Sequence, residues 1–276
     1  MFVVIKGAGD LASGIALRLR RAGFCIAMTE IDAPLSVRRT VCFSQAVYEG
    51  SSLVEDVTAL LVKNEAEMRA VLGKGHIAVF VDPVAEIVKK YRPDVLVDAI
   101  MAKRNTGTII TDAPVVIGVG PGFFAGVDCH CVVETKRGHT LGRLITEGGA
   151  LPNTGIPGDI GGFTTERLLR SPADGVFEPI ASIGDAVKKG GVVAVIRNPP
   201  ETEMFLKAEI DGMLRGLLPP GISITRGMKA GDIDPRCERT HCFTVSDKAL
   251  AIAGGVLEGV LRMRNITRRF NTSLLL

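Results

Sequence analysis

Tryptophan is absent from the 276 residues, and aromatic side chains of all kinds make up only 5%. Excess charge is also lacking: 33 Lys+Arg against 30 Asp+Glu leave a net charge of +3, which makes no electrostatic case for nucleic acid as the main partner. No apolar run approaches the roughly 20 residues needed to span a bilayer. The opening "MFVVIKGAGD" runs straight into a strand pattern, giving no signal peptide. Six cysteines in that setting read as reduced thiols, and the expected compartment is the cytoplasm. What the chain has in quantity is glycine, 32 residues, which favours strands, tight turns and helices that pack through small residues. The length suggests about two domains, large enough to bury roughly three quarters of the unfolded surface.

The stretch "IKGAGDLASGIALRLRRAGF" (5–24) follows an apolar strand and opens an amphipathic helix. Between them Gly7-Ala8-Gly9-Asp10-Leu11-Ala12 fits G-x-G-x-x-G/A. In that pattern the glycines allow a tight turn and a close approach to phosphate, which helix-start N–H groups then hold. The next strand, "CIAMTEID", brings Glu30 and Asp32 about twenty residues on, where a carboxylate accepts ribose hydroxyls. Many parallel sheets, however, begin with a glycine turn that binds nothing, and Asp10 would set a negative charge beside a phosphate.

Further strands are predicted in "HIAVFVDP", "PDVLVDAIMAK" and "APVVIGVGPG", with Asn64 capping a helix over "EAEMRAVLGKG" and another helix in "AEIVKKY". Alternating strands and helices predict a Rossmann-like, doubly wound parallel sheet. Ligands of such sheets lie beyond the carboxyl ends of the strands, here marked by Asp82, Lys103-Arg104-Asn105 and the loop Gly118 to Gly122. Gly120 and Gly122 let backbone curl around a ligand, although a strand-ending turn explains them equally well.

The densest polar stretch is "DCHCVVETKRGHTLGR" (128–143). On a strand, His130 and Glu134 share one face while Cys129 and Cys131 share the other. With Arg137 and His139 they form a candidate set for binding an anion or managing a proton. A metal site built from Cys129, His130, Cys131 and His139 with Cys237, His241 and Cys242 is disfavoured. No C-x-x-C occurs, and adjacent strand residues cannot all face one ion.

From Ser171 the chain repeats itself. An offset of 37 residues carries Asp174-Gly175 onto Asp211-Gly212, Gly184 onto Gly221 and Gly190 onto Gly227 without a gap. This duplicated hairpin unit resembles the half-motif of biotinyl and lipoyl domains, a barrel-sandwich hybrid. The position of the modified lysine falls near Glu201, which cannot be biotinylated or lipoylated. The expected organisation is a Rossmann-like nucleotide- or cofactor-binding domain over residues 1–165 and a small all-β sandwich over 166–240. A C-terminal helix over 241–266 is expected to pack back on the first domain, with a frayed tail at 267–276. Ser246 is the predicted cap of that helix.

Taken together, "KGAGDLASGIALRL", "VRRTVCFSQAVYEG", "VDAIMAKRN", "GVGPGFFAGVDCHCVVETKRGHTLGR" and "KAGDIDPR" resemble the YqeB-type accessory proteins of selenium-dependent molybdenum hydroxylase systems. The resemblance runs from Val4 to about Arg262. It implies a maturation role, with a molybdenum hydroxylase as partner and a nucleotide or molybdopterin-type cofactor as ligand. On that reading Gly7, Gly9, Asp10, Glu30, Gly120 and Gly122 form the cofactor turn loops, and Lys103 and Arg137 balance charge. His130, Glu134 and His139 line the reactive end, and Cys129 or Cys131 carries a chalcogen. A self-standing oxidoreductase using NAD(P) and a non-catalytic docking scaffold are the alternatives, and a homodimer fits a sheet of this kind.

Overall fold

The computed structural model describes residues 1–155, 157–198 and 202–272. The chain divides into two compact units, and the division is not sequential. Unit 1 comprises residues 1–34, 43–153 and 245–276; unit 2 comprises 35–42 and 154–244.

Unit 1 is built on a nine-stranded sheet. Its strands are β1 (Phe2–Lys6), β2 (Cys25–Glu30), β3 (Ser51–Val54), β4 (Val57–Leu61), β5 (Ile77–Val81), β6 (Val95–Asp98), β7 (Val115–Val119), β8 (Cys131–Val133) and β9 (Leu144–Ile145). The spatial order is β3-β4-β5-β2-β1-β6-β7-β8-β9. Strands β4 to β8 run parallel in that sheet, whereas β3 and β9 pair antiparallel on the two edges. The central strands are continuous apolar runs, such as "VVIGV" in β7, because both faces are covered. The helices are α1 (Asp10–Arg21), α2 (Gln45–Glu49), α3 (Glu65–Gly73), α4 (Glu86–Tyr91) and α5 (Asp247–Thr272). Asn64 does cap α3: its Oδ1 accepts the Glu67 amide at 3.0 Å, and Glu67 in return accepts from the Lys63 amide at 2.8 Å.

Two features correct the expected doubly wound fold. The sheet is mixed, with antiparallel edges, and the connections from β6 to β7 and from β7 to β8 contain no helix. The two units also interleave along the chain. Residues 35–42 leave unit 1 for unit 2, and α5 belongs to unit 1. The excursion is fixed by main-chain bonding, since Val37 O accepts the Leu217 amide at 2.7 Å.

Small residues let α5 come close. A Cβ on Gly14 of α1 would stand 2.8 Å from the Ala249 Cβ, and one on Gly255 would stand 2.1 Å from the Gly142 carbonyl oxygen. Ser246 caps this helix, its Oγ accepting the Ala249 amide at 3.2 Å. The helix continues to Thr272, through positions where the sequence predicts a frayed tail.

Unit 2 holds two four-stranded antiparallel sheets. One contains β10 (Leu168–Arg170), β12 (Ala186–Val187), β15 (Gly212–Leu217) and β17 (Lys229–Asp234), in the order β10-β17-β15-β12. The other contains β11 (Gly175–Pro179), β13 (Val192–Asn198), β14 (Thr202–Lys207) and β16 (Ser223–Ile224), in the order β14-β13-β11-β16. The repeat is structural. Strands β11, β12 and β13 start at Gly175, Ala186 and Val192, and β15, β16 and β17 start 37 residues later at Gly212, Ser223 and Lys229. The halves exchange their short strands: Gly175 pairs with Ile224 in one sheet, and its counterpart Gly212 pairs with Val187 in the other. Glu201, the residue nearest the modification site of biotinyl and lipoyl domains, lies outside the described residues.

Candidate functional site

The strand order reverses at β1, with β2 on one side and β6 on the other, and open sheets of this kind bind ligands beyond the carboxyl ends at such a point. There the backbone of the first glycine turn touches the loop after β6. Gly7 has φ +89°, and a Cβ on it would lie 3.1 Å from Ala99 O and 3.2 Å from Ile100 Cα. That loop contains two non-glycine residues in left-handed conformation, Met101 (φ +64°) and Lys103 (φ +62°). Such positions cost on the order of 1 kcal/mol or more each and cluster at functional sites. The loop after β7 closes on the same place. Gly122, at φ +110°, would set a Cβ 2.6 Å from Arg104 Cα, and Gly120 lies against the Thr135 and Met101 side chains. Three loops thus converge backbone to backbone where β1, β6 and β7 end.

Beneath them lies a buried polar triad that the sequence reading passes over. Lys6, the last residue of β1, is in register with Asp98, the last of β6. The Lys6 ammonium bonds Thr108 Oγ1 at 2.7 Å and pairs with Asp98 Oδ2 at 3.1 Å. Thr108 Oγ1 in turn donates to Asp98 Oδ2 at 2.6 Å. The triad ties the far end of the 99–108 loop to both strands. Asn105 secures its middle, accepting the Gly107 and Thr108 amides at 2.9 and 2.8 Å.

Several candidate residues hold the fold around this crevice. Glu30 turns back on the glycine turn: its Oε2 accepts the Ala8 amide and its Oε1 the Ile31 amide, both at 2.9 Å. Its carboxylate therefore locks the turn. Glu134 is buried, and its two oxygens accept the amides of Thr135 (2.7 Å), Lys136 (2.8 Å) and Leu151 (2.8 Å). Such a carboxylate is the anchor of a loop rather than an open proton acceptor. Arg137 makes a bidentate pair with Asp247 at 2.8 and 3.0 Å, and His139 is exposed on the same loop. Asp10 opens α1, where a negative charge suits the helix dipole.

His130 goes elsewhere. Strand β8 spans only Cys131–Val133, so His130 lies before its amino end and Glu134 beyond its carboxyl end, about 13 Å of strand apart. The expectation that the two share a site fails on that distance. Cys129 and Cys131 are fully buried; burial pushes the Cys129 thiol up to about 11 and the Cys131 thiol up to about 12. Neither is a thiolate near neutral pH, and neither is poised to carry a chalcogen. Alkylation of the native protein with iodoacetamide is expected to modify the exposed Cys25 and Cys237 and spare Cys129 and Cys131, read by peptide mass mapping. Rapid native labelling of Cys131 would overturn this assignment.

Lys248 is the functional-looking side chain that sequence reading misses. It sits at the start of α5, one residue before the Ala249 that packs on Gly14, and its ammonium feels the charges of Arg137, Asp10, Glu134 and Asp247. Burial, reinforced by Arg137, lowers its pKa. Among the described residues no group of three or more His, Cys, Asp and Glu is arranged to hold a metal ion, and no helix is long and apolar enough to cross a membrane.

No family model matches the chain. It is 49% identical over 261 residues, 95% of its length, to the uncharacterized protein YqeB of Escherichia coli strain K12, and it spans 47% of that relative, about half. Among solved structures it is similar to the ectoine utilization protein EutE (DoeB) of Ruegeria pomeroyi, at 12% identity and TM-score 0.25, covering 84% of this chain and 57% of that one. It is also similar to an aspartoacylase family protein of Mesorhizobium loti, at 12% identity and TM-score 0.27, covering 84% and 83%. A succinylglutamate desuccinylase of a Silicibacter species matches at 14% identity and TM-score 0.27, covering 84% of each chain. These scores are too low to carry an activity across. Neither the relative nor these structures is described in terms of molybdenum or selenium; the structures are named as an ectoine utilization protein, an aspartoacylase family protein and a succinylglutamate desuccinylase. The expected role in maturing a selenium-dependent molybdenum hydroxylase, with its molybdopterin-type ligand, is corrected accordingly. Burial of both thiols also argues against Cys129 or Cys131 as a chalcogen carrier.

Proposed function

The chain is a YqeB-type sequence spanning about half the length of that relative, and from its own geometry we propose that the crevice at the carboxyl ends of β1, β6 and β7 binds a small phosphate- or carboxylate-bearing metabolite. The observation that carries this reading is the convergence of the Gly7, 99–108 and Gly120–Gly122 loops, with two left-handed non-glycine residues retained in one of them. A fold that needed these loops only as connections gains nothing from that strain. The amides at the start of α1 supply a positive dipole end, and Lys248, near Asp10 at that same helix start, supplies a cation. Lys6, Asp98 and Thr108 act as positioning residues that hold the loop floor. The two oxygens of Glu30 are engaged by backbone, which speaks against recognition of a ribose diol at that carboxylate.

The test is thermal shift with inorganic phosphate, pyrophosphate, citrate and succinate on the wild type, Gly9→Val and Lys248→Met. Gly9 has φ −72° and ψ −172°, extended backbone that any residue adopts, so valine adds bulk without strain in φ. Saturation at a hundred times Kd stabilises a protein by about 2.7 kcal/mol. One of these anions is expected to reach that range in the wild type and to lose most of it in both variants. Affinity should also fall as pH rises through the Lys248 pKa, because only the ammonium attracts the anion. Equal stabilisation of all three proteins would refute the site.

A further inference from the structure

We infer that unit 1 carries a second ligand site at the opposite, amino end of its sheet, built for a small organic acid with an apolar body and one carboxylate. A groove of about 810 Å³ opens where β6, β7 and β8 begin, within the size range of small-molecule sites. Its apolar part comes from Val88, Ile110 and Ala113. Lys89 and Arg92, at the end of α4, face the same space, and among the described residues no ion pair engages either of them. The lining also holds two carboxylates, each turned by one oxygen toward a backbone amide: Asp94 accepts the Phe2 amide at 2.8 Å and Asp112 the Ile109 amide at 3.0 Å.

His130 supplies the directional group. Its Nδ1 accepts the Val116 amide at 3.0 Å, which leaves the ring proton on Nε2, a donor. Burial lowers the imidazole pKa, so this neutral, donating form is the one present near pH 7. Arg92 carries the second mark of a working site. It is a non-glycine residue at φ +45° and ψ +71°, held in a conformation that glycine adopts without cost. An apolar floor bounded by a fork-shaped cation and a fixed N–H donor suits a carboxylate on a flat or aliphatic body better than inorganic phosphate. The five residues of β7 separate this groove from the carboxyl-end crevice, so the two sites are independent.

Benzoate is the probe, titrated into the full chain and followed by ¹H–¹⁵N and imidazole resonances. Saturable shifts are expected at the Val116 amide and the His130 ring. Arg92→Gln should weaken benzoate about tenfold or more, the loss of one charge-assisted hydrogen bond, while Gly9→Val should titrate like the wild type. Arg92→Gly should raise the melting temperature while weakening benzoate, because relief of strain and loss of the ligand contact act in opposite directions. Absence of shifts at Val116 and His130, an unchanged affinity in Arg92→Gln, or a lowered melting temperature in Arg92→Gly would each overturn the assignment. A loss of benzoate binding in Gly9→Val would do so too, by moving the ligand to the other end of the sheet.

Discussion

Replacing Asp98 with alanine is expected to destabilise unit 1 by about 3–5 kcal/mol, measured by urea unfolding with hydrogen exchange at β1 and β6. Lys6 and Asp98 are only 7% and 1% exposed, and their pairing takes place with little water. The magnitude comes from what is left behind. Without Asp98, the Lys6 ammonium keeps Thr108 Oγ1 as a partner but loses its counter-charge in a medium that solvates it poorly. The Ile100 amide, 3.2 Å from Asp98 Oδ1, loses its acceptor at the same time. Removing the whole triad should be far milder. Lys6→Met, Asp98→Leu and Thr108→Val in one chain are expected to come within about 1–2 kcal/mol of wild type, because apolar replacements of buried ion pairs are often neutral. A loss under about 1 kcal/mol for Asp98→Ala alone would mean that Lys6 finds water, and the loop-floor role of the pair would fall with it.

The triad also marks where sequence reading stops. "FVVIK" and "VLVD" are plain buried strands ending in a charge, and both strands were legible from their apolar runs. That the two charges neutralise each other depends on β1 and β6 being neighbours in the sheet, a fact the 91 residues between Lys6 and Asp98 conceal. Local signals read well for the same reason that non-local ones did not. The Asn64 cap, the glycine turn and the 37-residue repeat each declare themselves within a short window. The edge hairpin β3–β4 does not, because "SSLVEDVTALL" carries no clean alternation, and its partner edge β9 is two residues long. His130 and Glu134 misled through periodicity: a spacing of four is one face of a strand, but only where the strand is long enough to contain both. Lys248 gave no signal at all in "DKALAIAGG". Its position beside the α1 start arises from the Gly14–Ala249 approach, across more than two hundred residues.

The second large effect belongs to unit 2, where Asp232→Ala is expected to cost about 3–5 kcal/mol and to act on that unit's sheets. Strand β15 is buried along its whole length, yet it carries Arg215 in its middle. Arg215 is tolerated there because its Nε donates to Asp232 Oδ2 at 2.7 Å and its Nη1 to Asp234 Oδ2 at 3.3 Å. Asp232 serves a second buried cation through Arg167 Nη2 at 3.1 Å. Alanine at 232 therefore withdraws one carboxylate from two buried guanidiniums at once. Hydrogen exchange should quicken across β10, β15 and β17 while β1 and β2 keep their protection; an unchanged β15 would refute the mechanism. The network also sets an acid limit. Burial alone would push the Asp234 carboxyl up, but hydrogen bonds from Arg236 and the charges of Arg215 and Arg236 hold it well below the usual carboxylate range. A depressed folded pKa contributes stability that is complete above the unfolded value near 3.9 and is lost as pH falls toward the folded one. Unit 2 should hold its exchange protection down to about pH 4 and lose it progressively below, and Asp234→Asn should flatten that acid dependence while lowering stability at neutral pH.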